Sequence, residues 1–214
     1  MRVIEPDEAI LVERARALVS KDGCRVLGIA GPPGAGKTTL AVHLLDRLRP
    51  DLDGAVAYVP MDGFHLADAA LAQLGRLDRK GAPDTFDAAG YAALLARIRS
   101  GADDTVWAPA FARDLEQPLA GSIGVSPAVR LLLTEGNYLL DAERPWPSVR
   151  EQLDQVWYLD AVDDAQRVRR LLARHERFGK PPEAARAWVE RVDVPNAARV
   201  AATRELADLV VWMD

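Results

Sequence analysis

One run, Gly31-Pro32-Pro33-Gly34-Ala35-Gly36-Lys37-Thr38, constrains this chain more than any other, because an apolar stretch from Arg25 to Ala30 precedes it and an amphipathic stretch from Lys37 to Leu48 follows. The first stretch has the length and composition of a buried strand; the second has helical periodicity and stops before Pro50. The run itself fits the spacing G-x-x-x-x-G-K-[ST] and is extended by Thr39. A glycine-rich turn between strand and helix aims successive backbone N–H groups into one concavity at the positive end of the helix, and a chain of phosphates is the ligand that such a concavity suits. Residues Gly31, Pro32, Pro33, Gly34, Ala35, Gly36, Lys37, Thr38 and Thr39 are therefore expected to hold ATP. Lys37 would reach the β- and γ-phosphates, and Thr38 would offer its hydroxyl to Mg²⁺.

The rest of the chain alternates strand-like and helix-like segments. Between Asp7 and Ser20, Ile10, Leu11, Ala15, Leu18 and Val19 recur at helical spacing, with Pro6 and Asp7 suited to a helix start. A second strand is expected over Ala55 to Pro60, and helices over Leu66 to Leu77 and Ala88 to Arg99, with a charged loop from Asp78 to Asp87 between them. Gly101 to Pro127 carries Pro109, Pro118, Gly121, Gly124 and Pro127 and is expected to be a loop or irregular ribbon over the active-site face. Arg130 to Thr134 is apolar after its first residue, as the centre of a parallel sheet requires. Val156 to Leu159 and Leu209 to Trp212 complete the strands. Asp163 or Asp164 caps a basic helix ending at Arg177, Gly179-Lys180-Pro181-Pro182 breaks it, and two further helices follow. This order implies an α/β fold with right-handed crossovers and helices on both faces of the sheet.

At 214 residues and 49% hydrophobic, the chain suits one core, so a single domain over 1–214 is expected, with a small helical lid at about 167–190. A net charge of −5 offers no basic footprint for nucleic acid. The start, Met1 to Pro6, lacks a signal-peptide pattern, and no apolar run approaches the ~18 residues of a membrane span, so a cytoplasmic protein without a membrane partner is expected. The lone Cys24 provides neither a disulfide nor a metal cluster.

Polar residues at strand ends define the expected chemistry. Asp62 follows the second strand, and in open parallel sheets ligands bind just beyond the carboxyl ends of the strands. A carboxylate there would orient an acceptor hydroxyl toward the γ-phosphate and take its proton. Glu135 ends the third strand, where an acid would hold Mg²⁺ together with Thr38. Arg167, Arg170, Arg174 and Arg177 share one helix face, a line of like charge that an anion would neutralise.

GPPGAGKTT at 31–39, MDGFH at 61–65, RKGAPDTFD at 79–87 and LTEGNYLL at 133–140 together resemble the phosphoribulokinase, uridine kinase and bacterial pantothenate kinase group, including a branch labelled nucleoside/nucleotide kinase or fructokinase-like. The resemblance implies a P-loop NTPase fold with a parallel five-stranded sheet in order 2-3-1-4-5 and an ATP-dependent kinase acting on an alcohol group. It matches Asp62 to the catalytic base, Asp84 to a carboxylate on ribose hydroxyls, and Arg170 and Arg174 to lid arginines that act with Lys37 in catalysis. His65, Arg79, Phe86 and Arg113 are implied substrate contacts, and a homodimer is implied as well. Two departures bear on specificity. His175 stands where the uridine-kinase lid has Asp, and Pro109-Ala110-Phe111-Ala112-Arg113 replaces the run that helps to grip uracil. The rival expectation is a nucleotide-hydrolysing switch or assembly protein acting on a protein partner, although no N-K-x-D or L-S-G-G-Q stretch occurs.

Overall fold

The structure, a computed structural model, describes residues 2–4, 7–52, 54–161 and 163–213, with 2–4 and 213 described by backbone alone. Pro6, expected at the first helix start, lies outside the described residues. The strands are β1 (Arg2–Ile4), β2 (Arg25–Ala30), β3 (Val56–Tyr58), β4 (Val106–Ala112), β5 (Gln117–Val125), β6 (Leu131–Gly136), β7 (Gln155–Ala161) and β8 (Leu209–Met213). The α-helices are α1 (Glu8–Arg16), α2 (Lys37–Leu48), α3 (Asp68–Gln73), α4 (Ala88–Ser100), α5 (Pro147–Arg150), α6 (Asp164–Arg177), α7 (Pro182–Trp188) and α8 (Val194–Ala201).

The main sheet runs β1-β8-β7-β2-β6-β3, all parallel. Its five strands from β3 to β8 follow the expected order, and β1 adds a short sixth at the edge. Burial on both faces explains the apolar strands: along β7, Val156 and Tyr158 point to one core while Trp157 and Leu159 point to the other. Leu11 of α1 and Leu40, Leu44 and Leu48 of α2 fill one layer, and Tyr91, Leu95 and Ile98 of α4 fill the opposite one. Asp7 caps α1 through the Ala9 amide at 3.0 Å, and Asp163 caps α6 through the Ala165 amide at 2.9 Å.

The stretch expected to be irregular is an antiparallel hairpin, β4 with β5, and this corrects the sequence reading. Its prolines are accommodated rather than disruptive: Pro109 sits at the register shift between Ala108 and Ala110, where the ladder needs no donor, and Pro118 pairs with Phe111 in a two-stranded ribbon whose strands are both edges. The helix expected over Leu66 to Leu77 is shorter, because Gly75 at φ 64° ends it after α3. α7 and α8 are joined through a π-helical turn, Val189–Asp193. From that turn the Asp193 carboxylate meets His175 of α6, Oδ2 to Nε2 at 2.8 Å.

Candidate active site

Residues 31–36 leave the end of β2 and enter α2, with Gly31, Gly34 and Gly36 all at positive φ. At Gly34 the constraint is also spatial: a Cβ would stand 2.9 Å from Leu171 Cγ and 3.0 Å from the Arg167 carbonyl oxygen. The loop is thus pressed against α6, and Arg167 fastens it there, donating from Nη1 to the Pro33 carbonyl at 2.9 Å. Arg167, grouped with the basic helix face by its spacing, is buried and holds the loop.

Lys37 is buried at the mouth of this loop, its Nζ donating to the Pro32 carbonyl at 3.0 Å and to Asn137 Oδ1 at 2.8 Å. Burial lowers its pKa to about 8, against the partial restoring effect of Glu135 and Asp62. Glu135, in the neighbouring β6, accepts from Thr38 Oγ1 at 3.0 Å and Tyr58 Oη at 3.1 Å. Burial and the nearby Asp62 charge push its carboxyl above the usual range, and Lys37, Thr38 and Tyr58 only partly oppose this. A carboxylate beside a threonine hydroxyl is a hard-oxygen pair suited to Mg²⁺. Among the described residues no group of three or more His, Cys, Asp and Glu is placed to hold a metal, so phosphate oxygens and water would complete any such shell. The left-handed glycines, Lys37 and this oxygen pair fit Mg·ATP.

Asp62 lies in the 3-10 turn Met61–Phe64 just beyond β3. Hairpin β4–β5 packs on this turn so closely that a Cβ at Gly63 would stand 2.3 Å from the Pro109 carbonyl oxygen. The hairpin thereby delivers Arg113, whose Nη2 donates to Asp62 Oδ2 at 2.5 Å. Burial alone would raise the Asp62 pKa, but His65, Arg113, Arg174 and Lys37 outweigh it and hold the carboxyl below its ordinary value. Arg174 is half-buried, and its guanidinium has no hydrogen bond or ion pair among the described residues. Burial and the like charge of Arg113 lower its pKa, with Asp193, Asp62 and Glu116 opposing. His65 is held between Phe86 and Phe111, ring centroids 4.0 and 4.7 Å away, with Nδ1 2.8 Å from the Asp62 carbonyl oxygen. Burial lowers its pKa, so the neutral ring is favoured.

Three expected site residues are placed elsewhere. Arg170 is exposed and bonds Gln166 of its own helix at 2.7 Å. The Asp84 carboxylate is taken up by Arg79, 2.9 Å from Nη2, and by Arg76, 3.4 Å from Nε, in the loop before α4. Arg79 is therefore a loop ion-pair partner. Phe86 is buried, packed edge-on against Tyr138 and Trp146 and forming the wall that His65 stacks on. Conversely, Tyr58 and Asn137 enter the site without having been singled out. Their only signal was position, Tyr58 in the strand leading to Asp62 and Asn137 two residues past Glu135.

No family profile matches the chain. It is 32% identical over 167 residues to "Putative uridine kinase C227.14" of Schizosaccharomyces pombe, covering 74% of this chain and 70% of that protein. It is 30% identical over 171 residues to the pantothenate kinase of Rhizobium leguminosarum bv. trifolii, spanning 75% of this chain but 51% of that one. Among solved structures, a "putative fructose transport system kinase" from Silicibacter sp. TM1040 superposes with a TM-score of 0.79 at 32% identity, over 94% of this chain and 97% of that one. YFH7 of Saccharomyces cerevisiae, with a TM-score of 0.76 at 17% identity over 97% and 99% of the two chains, shares the fold.

Proposed function

Because this chain belongs to the P-loop kinase family that includes uridine and pantothenate kinases, we propose that it transfers the γ-phosphoryl group of ATP to a hydroxyl of a small metabolite. The observation that carries this reading is the convergence of Lys37, the Thr38–Glu135 pair and Asp62 beyond the carboxyl ends of β2, β6 and β3, three neighbouring strands. Asp62 would accept the proton of the acceptor hydroxyl as its oxygen bonds to the γ-phosphorus. The bond from that phosphorus to the β,γ-bridging oxygen breaks, and its electron pair leaves on ADP. In such a loose transition state positioning supplies most of the effect, so an Asp held ionised by its cationic neighbours suffices.

Thr38 and Glu135 would hold Mg²⁺, which would neutralise charge on the phosphates. Lys37 leaves Asn137 for the phosphates, and Arg174, without a hydrogen bond or ion pair among the described residues, finds its acceptors there. The acceptors open to this reading are a nucleoside, a sugar or a pantothenate-like alcohol. The test is ADP release from Mg·ATP across a panel of hydroxyl metabolites, with Lys37→Ala as the blank. Turnover that rises with one compound and is absent from the variant supports the kinase. Turnover that rises only with a protein partner would support a nucleotide-driven switch.

A further inference from the structure

Arg113 occupies one of the two Asp62 carboxylate oxygens, Nη2 to Oδ2 at 2.5 Å. Among the described residues this contact is the only hydrogen bond or ion pair made by the charged atoms of either group, and it is lopsided. Arg113 Nε and Nη1 carry no hydrogen bond among the described residues. The guanidinium is steadied instead by the Phe111 ring, 5.5 Å from its carbon to the centroid. Arg113 enters the site from the β3 side, since the sheet runs from β2 through β6 to β3 and the hairpin packs on the turn beyond β3, and its charge is felt at Lys37 and Arg174. The loop, α2 and α6 already offer phosphate contacts through backbone amides, Lys37 and Arg174, whereas among the described residues Asp62 is the one carboxylate that Arg113 contacts.

We propose that Arg113 binds an acidic group of the acceptor, a carboxylate or a phosphate ester on the alcohol, and that this exchange of partners frees the Asp62 oxygen that Arg113 holds for the acceptor hydroxyl. The inference rests on the kinase reading and narrows it to anionic alcohols. A planar guanidinium that is bound at one nitrogen and open at two can take an incoming oxyanion in a bidentate grip before surrendering its first partner. A neutral alcohol has nothing to offer Arg113 and would meet a base still held in an ion pair. His65, packed beside Phe111 with Nδ1 on the Asp62 carbonyl, helps to keep the turn in place while the exchange occurs.

The experiment measures binding and turnover on matched pairs, glycerol against glycerate, ribose against ribose 5-phosphate, and pantothenol against pantothenate, with a non-hydrolysable ATP analogue for calorimetry and with Mg·ATP for rates. The expected result is that an anionic member binds and reacts better than its neutral partner by about 10- to 100-fold, the range of one charge-assisted contact. The carboxylate and phosphate arms identify which acid is used. Arg113→Gln should remove that preference by raising the acceptor KM while the ATP KM stays near wild type, and Arg113→Lys should restore part of it. Arg113 is partly exposed, so an unchanged melting curve confirms that the variant is folded.

Neutral members that bind as well as anionic ones, or an Arg113→Gln protein that keeps the preference, would overturn the inference. So would a variant that raises the ATP KM instead, since Arg113 would then serve the γ-phosphate. Failure of the kinase reading looks different: the ATP analogue would not bind, or no alcohol of either kind would release ADP.

Discussion

The two halves of this site are built in different ways. On the phosphate side one continuous segment, β2 through the loop into α2, supplies the cradle, and its polar atoms have fixed partners: Lys37 on Asn137, Thr38 on Glu135, Pro33 on Arg167. On the acceptor side, Asp62 comes from a turn after β3 and Arg113 from the hairpin, and Arg113 uses only one of its nitrogens among the described residues. A triphosphate is the same for every kinase, so its half can be rigid and local. Acceptors differ, and loops brought from distant parts of the chain let one scaffold change its substrate.

The largest effect that would sharpen this comparison is expected at Asp62. Asp62→Asn keeps the shape but cannot take the proton, so kcat should fall about 10²- to 10⁴-fold while the ATP KM stays close to wild type. Steady-state kinetics on any responsive acceptor measures both. A loss confined to ATP affinity would place Asp62 on the phosphate side and erase the division.

Gly34→Val probes the rigid half. A branched side chain at φ 83°, against Leu171 and the Arg167 carbonyl, is expected to cost about 1–3 kcal/mol and to lower Tm by several degrees. ATP affinity should fall with it, and a thermal melt with and without ATP reads both effects. An unchanged Tm would mean that the loop and α6 are not packed as described.

Protons give a smaller, sharper signal. With its pKa near 8 in the apo protein, against roughly 10.4 unfolded, Lys37 binds fewer protons folded than unfolded between those values. Apo stability from this group therefore increases as pH rises from about 8 toward about 10.4. Phosphates beside the ammonium raise its pKa again, so binding Mg·ATP at pH 8 should take up about half a proton. Calorimetry in two buffers of different ionisation enthalpy measures the uptake, and none would mean that Lys37 does not meet the phosphates. The smallest effect is expected for Arg79→Ala, which breaks a solvent-exposed ion pair with Asp84 and should change neither Tm nor the acceptor KM measurably. A large rise in that KM would return Asp84 and Arg79 to the site.

The division also explains what could be read from sequence. The loop, Glu135 and Asp62 were legible because each follows a strand whose apolar run marks it, Thr38 because it closes the loop's motif, and the order of the five strands from β3 to β8 followed from the family resemblance. The hairpin was not, since its Pro109 and Pro118 look like breakers until the register shift and the edge positions that tolerate them are known. Arg167, Arg170 and Arg174 share one helix face by spacing, yet one is buried on the loop, one is solvated and one faces Asp62. Spacing gives a direction around the helix, and only the packing of α6 across the loop decides which turn of it meets the site.

The π-helical turn at Val189–Asp193 has a consequence for comparing this chain with its relatives. A π turn carries one residue more than an α turn, and each residue of a helix advances it by about 100°. Losing any one residue from that turn would leave an unbroken α-helix but rotate everything after it relative to α7. The Asn196 amide, which reaches the Gly81 carbonyl at 3.3 Å, and the buried Val200 would swing away from where they now pack. A single-residue gap placed here when relatives are aligned is thus a change in which side chains α8 presents to the core, not a harmless length difference.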